Sequence, residues 1–248
     1  MAKRMLCVTA HPDDEAGGFG GSLLLYAGQQ VETYIVCLTP GQAARHRGGH
    51  VSDNALAAAR RQEFAASCQM LKVTHGEVLD YPDSKLSTVP LDLVVADLVE
   101  RIRHIRPHVI ISFGPEGAVT AHPDHSMASI FATMAFHWAC RTNRYPEQLQ
   151  NGLAPWMAQK LYWSTAGFKL PERQPIAPAP RTAVIDVAPF METKVAAFKL
   201  HTTQAPLFPT FEKNVRLRGT VEMFHLAACS RPMDIEPETD LFAGVEED

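Results

Sequence analysis

Two short stretches of the 248-residue chain hold the residues best suited to chemistry. Ala10-His11-Pro12-Asp13-Asp14-Glu15 sets a histidine and two aspartates, then a glutamate, directly after the first apolar run, where a buried strand would give way to a helix. Ala121-His122-Pro123-Asp124-His125 follows a later apolar run in the same way. His11 and Asp14 are three residues apart, close to one helical turn, so both side chains can face one point. Asp13 lies between them and projects elsewhere. His125 can add a third ligand from the start of its own helix. Two imidazoles and a carboxylate, with water in an open position, make a catalytic zinc site.

A metal held this way lowers the pKa of its water and polarises a carbonyl oxygen. In this reading Asp13, near but not bound, takes the water's proton. His122 donates a hydrogen bond or proton to the tetrahedral intermediate. Asp124 orients or charges His122, as a carboxylate behind an imidazole does. Two blander readings stand beside this one. Asp13 or Asp14 could simply cap a helix N-terminus, and a buried histidine pair could lack a metal if enough polar partners were present. Two such clusters at two strand ends favour the metal.

The elements that must position these residues alternate between apolar runs and helical patterns, the signature of a largely parallel sheet. Met5 to Thr9 reads as a central strand, Gly17 to Gly28 as a helix packed on it, and Val31 to Thr39 as a second strand. Thr39 to Asp53 is a long loop rich in Gly, His and Arg, and long loops within compact domains are often functional. Ser52 or Asp53 caps a helix over Asn54 to Leu71. Glu77 to Tyr81 is a short strand, Leu91 to Arg106 a helix halted by Pro107, and Val109 to Phe113 a third apolar strand. Met127 to Cys140 is a buried helix. Strands follow at Leu161 to Thr165 and Thr182 to Val187, around a loop holding Pro171, Pro175, Pro178 and Pro180. Met191 to His201 is a helix, and Val221 to Ala228 is either strand or helix. From Asp234 the tail is acidic and expected to be mobile. The pattern predicts one α/β domain over residues 1–248. Its fold is Rossmann-like and three-layered, with a mostly parallel central sheet and helices on both faces. In such sheets ligands bind beyond the carboxyl ends of the strands, where both clusters fall.

Composition narrows the function further. A hydrophobic content of 46% and a charged content of 20% are ordinary for a globular protein. A net charge of -4 offers no general attraction to nucleic acid or an anionic membrane. Arg45, Arg47, Arg60 and Arg61, with His46 and His50, suit local ligand binding better than a polynucleotide track. No apolar run approaches the ~18 residues of a membrane span, and no signal-peptide pattern follows Met1. Five scattered cysteines without a C-x-x-C pair read as reduced residues, so a cytoplasmic location is expected. Gly17-Gly18-Phe19-Gly20-Gly21 fails the G-x-G-x-x-G template and better serves close helix packing or room for substrate.

Assembled, these motifs resemble the PIG-L/LmbE-like family of metal-dependent N-acetylglucosaminyl deacetylases. The resemblance runs through the first cluster and Gly20-Gly21, then Arg60-x-x-Glu63 before Leu71-Lys72-Val73, and Arg106-Pro107 leading to Phe113. It continues through His122-Pro123-Asp124-His125 and Lys194-Val195-Ala196-Ala197 to His201-Thr202-Thr203-Gln204. It implies His11, Asp14 and His125 as metal ligands, Asp13 as general base, and His122 as the group assisting collapse of the intermediate. It implies substrate contact for Arg60, and for His201 either a place near the substrate or a structural role. Some members carry a tyrosine shortly before the second motif, where this chain has Val119-Thr120-Ala121. The implied partner is a small N-acetylated amino-sugar conjugate, and the implied cofactor is zinc or another divalent ion such as iron(II). Relatives are commonly oligomeric, so a homo-oligomer fits the resemblance.

The expected reaction is hydrolysis of the acetamide of an N-acetylglucosamine-type conjugate to amine and acetate. Two alternatives use the same ligands: a non-haem iron(II) oxygenase, and a non-catalytic, metal-stabilised sugar-binding protein. The H-x-x-D spacing and the α/β pattern speak against the first. The free carboxylate of Asp13 speaks against the second.

Overall fold

The computed structural model describes residues 2–170, 172–232, 234 and 236–246. Its centre is a pair of strands that are apolar almost throughout, β1 (Arg4–Thr9) and β4 (Val109–Phe113). Strands without polar alternation are those buried on both faces, and Met5 to Val8 and Val109 to Ile111 are almost completely inaccessible. The two pair in parallel, with Met5 opposite Val109 and Cys7 opposite Ile111. Outward from β1 lie β2 (Glu32–Cys37) and then β3 (His75–Val78), both parallel. Outward from β4 lies β5 (Lys160–Thr165), also parallel.

Beyond β5 the direction reverses. β7 (Val221–Cys229) pairs antiparallel with β5, and β6 (Ala183–Asp186) pairs antiparallel with β7 at the edge. The sheet order is β3-β2-β1-β4-β5-β7-β6. Helices cover both faces: α1 (Asp14–Gly28) and α2 (Asp53–Met70) pack with α6 (Met191–Lys199), while α3 (Leu91–Ile105) packs with α4 (Pro123–Ala139). The expected α/β fold with a mostly parallel sheet and helices on both faces is present. Because the chain runs outward from β1 and returns to lay β4 on its other side, the loops after β1 and β4 open side by side. That is the switch point where such sheets bind ligands.

Local chemistry explains most boundaries. Ser52 caps α2 by accepting the Ala55 N–H at 3.2 Å, as expected. α3 ends at Arg106, whose left-handed φ of 56° precedes Pro107. α1 and α4 both begin earlier than predicted, at Asp14 and Pro123, so each His/Asp cluster lies in or against a first helical turn. The sequence reading left α5 (Pro146–Gln150) and α7 (Phe208–Arg218) unassigned. It left Val221 to Ala228 open, and this segment is strand.

Among its described residues, the acidic tail is tied to the sheet. Glu238 bridges to Ala183 beside β6, and its carboxylate meets Lys160 and Tyr162. Tyr26 donates to Asp240 at 3.0 Å, and Leu241, Phe242 and Val245 are buried. The expected mobility is overturned by these apolar anchors. Pro171, one of the prolines expected in the loop between β5 and β6, lies outside the described residues. Among the described residues no helix is long and apolar enough to cross a membrane.

The glycine run serves both purposes expected of it. Gly17 and Gly18 line a cavity, whereas Gly21 lets α1 lie directly on Val187. Glu222 of β7 ties the same turn down by accepting the Gly21 and Ser22 N–H groups, both at 2.9 Å, while pairing with buried Lys194 of α6. A Cβ on Gly21 would fall 2.6 Å from Val187 Cβ. Gly21→Ala is therefore expected to lose about 1–3 kcal/mol of unfolding free energy by overpacking. Pairing it with Val187→Ala should recover part of the loss in urea titrations. An unchanged midpoint for the single variant would contradict the packing.

Candidate metal centre

The turn joining β1 to α1 is tight and strained. Asp13 has φ 123° and ψ -25°, a region that L-residues rarely adopt. Asp14, at the first helical position, folds its carboxylate back so that Oδ2 accepts the Ala10 and His11 N–H groups at 3.1 and 2.8 Å. Its Oδ1 lies 3.1 Å from His125 Nε2, and Oδ2 lies 3.6 Å from His11 Nδ1. Asp14 thus stands between the two histidines, bringing together the three predicted ligands from loops more than a hundred residues apart. The His125 ring stacks on Phe113, the last residue of β4, at 4.0 Å and 8°.

His122 stands in the same cluster, its ring 4.8 Å from His11 and 5.1 Å from His125. Ligating atoms of His11, His122 and His125 all lie within 4.8 Å of one another. Hydrogen bonding separates their roles. His122 is the N-cap of α4, and its Nδ1 accepts the Asp124 N–H at 3.1 Å. A neutral imidazole that accepts at Nδ1 carries its proton on Nε2, which leaves that nitrogen a donor and not a ligand. Burial, with repulsion from His11 and His125, lowers the His122 pKa to about 4, so the neutral form prevails.

His11 shows the complementary arrangement. Its Nε2 lies 3.1 Å from Asp83 Oδ1 and 3.2 Å from Asp124 Oδ2, so two carboxylates hold the proton there. The Nδ1 lone pair is left facing Asp14. A carboxylate behind a metal-binding imidazole fixes its tautomer in this way. Burial disfavours the charged His11 ring, but the hydrogen bonds with Asp124, Asp14 and Asp83 outweigh it and raise its pKa well above the usual value. The Asp124 carboxylate therefore orients His11, not His122 as predicted from sequence. It is itself held by the N–H groups of Ser84 and Leu86, at 2.6 and 3.2 Å.

Asp83 escaped the sequence reading. It follows β3 in the same strand-end position that drew attention to the other clusters, and that signal would have found it. Its Oδ2 accepts the Ala43 N–H at 2.8 Å, which pins the long loop after β2. Burial would raise its pKa, but the hydrogen bond and charge of His11 hold the carboxyl at about 2.

Asp13 points away from Asp14 and keeps 16% of its side chain exposed. Burial pushes its carboxyl up to about 6, although the charge of Arg60 opposes the shift. Arg60 was expected to touch substrate hydroxyls. Its side chain is only 3% exposed but lines the cavity, and its guanidinium holds Asp13 Oδ2 at 3.0 Å, Gly41 O at 3.0 Å and Pro12 O. Arg60 thus aims the Asp13 carboxylate into the cavity.

Of the two roles open to His201, substrate contact is overturned and the structural one holds. It is wholly inaccessible, and its Nε2 meets Glu15 Oε1 at 2.7 Å. Ser67 donates to the same oxygen at 2.6 Å, while Glu15 Oε2 accepts the Asp13 N–H at 2.9 Å. His201 therefore supports the strained turn from behind and has no path to a ligand. Burial alone would raise the Glu15 pKa, but the charge and hydrogen bond of His201 pull it down. Thr120, in the tyrosine's expected neighbourhood, lines the cavity with Oγ1 3.5 Å from His125 Nδ1.

Replacing His201 with Phe would leave the Glu15 carboxylate buried without its cation, a loss of about 3–5 kcal/mol in unfolding free energy. His201→Gln, which retains a donor, should recover part of it in the same denaturant titration. A His201→Phe protein as stable as the parent would contradict the pairing.

A family model described as PIG-L, GlcNAc-PI de-N-acetylase, matches residues 6–136, a span containing every residue of the centre described above except His201. A 1D-myo-inositol 2-acetamido-2-deoxy-alpha-D-glucopyranoside deacetylase of Rhodococcus erythropolis is 30% identical, with 98% of each chain covered. A diacetylchitobiose deacetylase of Thermococcus kodakarensis is 28% identical over 82% of this chain and 71% of its own. In structure, the N,N'-diacetylchitobiose deacetylase from Pyrococcus horikoshii is similar with a TM-score of 0.77 at 24% identity, covering 91% of this chain and 84% of that one. The last likeness speaks for the shared fold. The parallel α/β sheet is also not the jelly roll that the oxygenase alternative would call for. By the family match and by its likeness to the Rhodococcus protein, the chain belongs to the PIG-L deacetylase family.

Proposed function

We propose that this protein is a metal-dependent N-deacetylase that hydrolyses the acetamide of an N-acetylglucosamine-type conjugate to free amine and acetate. The observation that carries the reading is the division of the cluster: His11 Nδ1, Asp14 and His125 converge, while Asp13 and His122 stand beside them with their own protons accounted for. Two imidazole nitrogens and one carboxylate suit zinc, and iron(II) would accept the same donors, binding of either displacing the extra proton that His11 holds. Once bound, the cation would supply Lewis-acid polarisation of the acetyl carbonyl and acidify a water molecule.

The remaining work falls to this chain's own side chains. Asp13, ionised near neutral pH and aimed by Arg60, accepts a proton from the attacking water as the new C–O bond forms. As the C–N bond breaks, Asp13 returns that proton to the departing nitrogen. His122 presents Nε2–H towards the cavity, because the backbone occupies its Nδ1, and so donates a hydrogen bond to the oxygen that gains charge. Preorganised donors of this kind lower the barrier because they need no reorganisation during the reaction. The fixed carboxylates of Asp83 and Asp124 keep His11 from rotating away.

A small panel of N-acetylglucosaminyl conjugates assayed for free amine, with and without chelator, tests the activity. Chelation should abolish turnover and added divalent metal should restore it. Measured metal content separates the roles: His11→Ala and His125→Ala should lose the bound ion, whereas His122→Ala should retain it. Asp13→Asn should also keep the metal while turnover falls by ~10²–10⁴-fold, the usual contribution of a general base. Amine release that survives in Asp13→Asn, or metal lost with His122→Ala, would refute these assignments.

A further inference from the structure

The metal centre occupies one end of a cavity of about 510 Å³. Sites of about 300–1,000 Å³ accommodate ligands well beyond an acetamide or a single small group. Away from the metal the lining is mixed: Arg173, Gln204, Thr210 and Asn214 face the same space as a run of apolar side chains. α7 carries Phe211 and Val215 four residues apart, and Leu207 stands four residues before Phe211, so the three form one stripe. All three line the cavity and remain half-buried. Phe198 of α6 stacks under Phe211 at 3.8 Å and 19°, which fixes that ring in place. Leu170, from the loop between β5 and β6, also lines the cavity.

An amphipathic helix normally sets its apolar stripe against the core. Here the stripe borders open space that is continuous with the reacting centre. Gly17 and Gly18 contribute to the same opening, since neither puts a side chain into it. A polyol lying on the stripe itself would lose its water without gaining hydrogen bonds there, which is costly, whereas Thr210 and Asn214 beside it could still meet the sugar. An alkyl or aryl group would gain the transfer energy of its buried surface.

We propose that the stripe of Leu207, Phe211 and Val215 is a subsite for an apolar alkyl or aryl substituent of the substrate. This rests on the deacetylase reading and narrows its substrate class. The substituent is carried either at the anomeric oxygen of the sugar or on the acyl group, the same chemistry from two ends of one amide.

The test compares four glucosamine derivatives with metal-supplied protein: the methyl, hexyl and inositol glycosides of N-acetylglucosamine, and the methyl glycoside of N-hexanoylglucosamine. At least one hexyl-bearing compound should have a kcat/KM about tenfold or more above the methyl N-acetyl glycoside, the yield of burying roughly two methylenes. The inositol glycoside should show no such gain. Which hexyl compound benefits identifies the end of the amide that enters the subsite. Phe211→Ser should bring the hexyl-to-methyl ratio close to one, and Val215→Ser should lower it too. Thermal melts confirm that each variant folds. If the methyl glycoside is hydrolysed but neither hexyl compound gains, the subsite is refuted while the deacetylase reading stands. If no derivative yields amine, both fall. If Phe211→Ser alters the oligomeric state and leaves the ratio untouched, the stripe is an interface between copies and the proposal is overturned.

Discussion

Asp13 holds a backbone conformation of φ 123° that costs a non-glycine residue about 1–3 kcal/mol, and the rest of the centre is arranged around keeping it there. Glu15 fixes the N–H of that residue, and Arg60 binds both the preceding carbonyl and the Asp13 carboxylate. His201 and Ser67 hold Glu15. The strain has a geometric result. It sends adjacent carboxylates in different directions, so Asp14 reaches the histidines while Asp13 faces the cavity. In a relaxed helical start, neighbouring residues would diverge by the ordinary helical rotation and the carbonyl of Pro12 would not meet Arg60.

Two electrostatic layers surround this turn. Nearest the cavity, Asp14 lies between His11 and His125, and behind His11 stand Asp83 and Asp124. The deeper layer is the His201–Glu15 pair. Buried charges of this kind persist only when paired and hydrogen-bonded, and each carboxylate here also accepts a backbone N–H. Ser84, Leu86, Ala43, Ala10, His11 and Asp13 supply those donors. Loops from four parts of the chain are thereby anchored to one cluster. The geometry of the proposed ligands is thus set by the backbone.

Much of this was legible in the sequence, and the reasons differ by residue. His11, Asp14 and His125 sit at fixed offsets from apolar runs, so strand-end position and helical spacing together reveal them. Arg60 and His201 were found by resemblance, but their partners Asp13 and Glu15 were not, because a motif shows that a residue matters without showing which atom it meets. Glu15 lay inside the first motif, yet its partners Ser67 and His201 are 52 and 186 residues away and share no spacing with it. Asp124 was paired with its neighbour His122 on proximity in sequence, whereas the helix start turns it towards His11. α7 opens Phe-Pro-Thr and carries charges on its outer side, so its apolar residues are too few to stand out. β6 was readable at Thr182 to Val187, but β7, inserted antiparallel between β5 and β6, departs from the βα rhythm and was open between strand and helix.

Residues 6–136 contain the proposed ligands and Asp13, while the apolar flank of the cavity is drawn from Leu170, Phe198, Leu207, Phe211 and Val215. On the proposed reading, reactivity and selectivity are written in different halves of the polypeptide. Exchange of side chains along one late helix would then retune what is admitted without disturbing the reacting centre. A library randomised over that helix is the natural starting point for redirecting this scaffold.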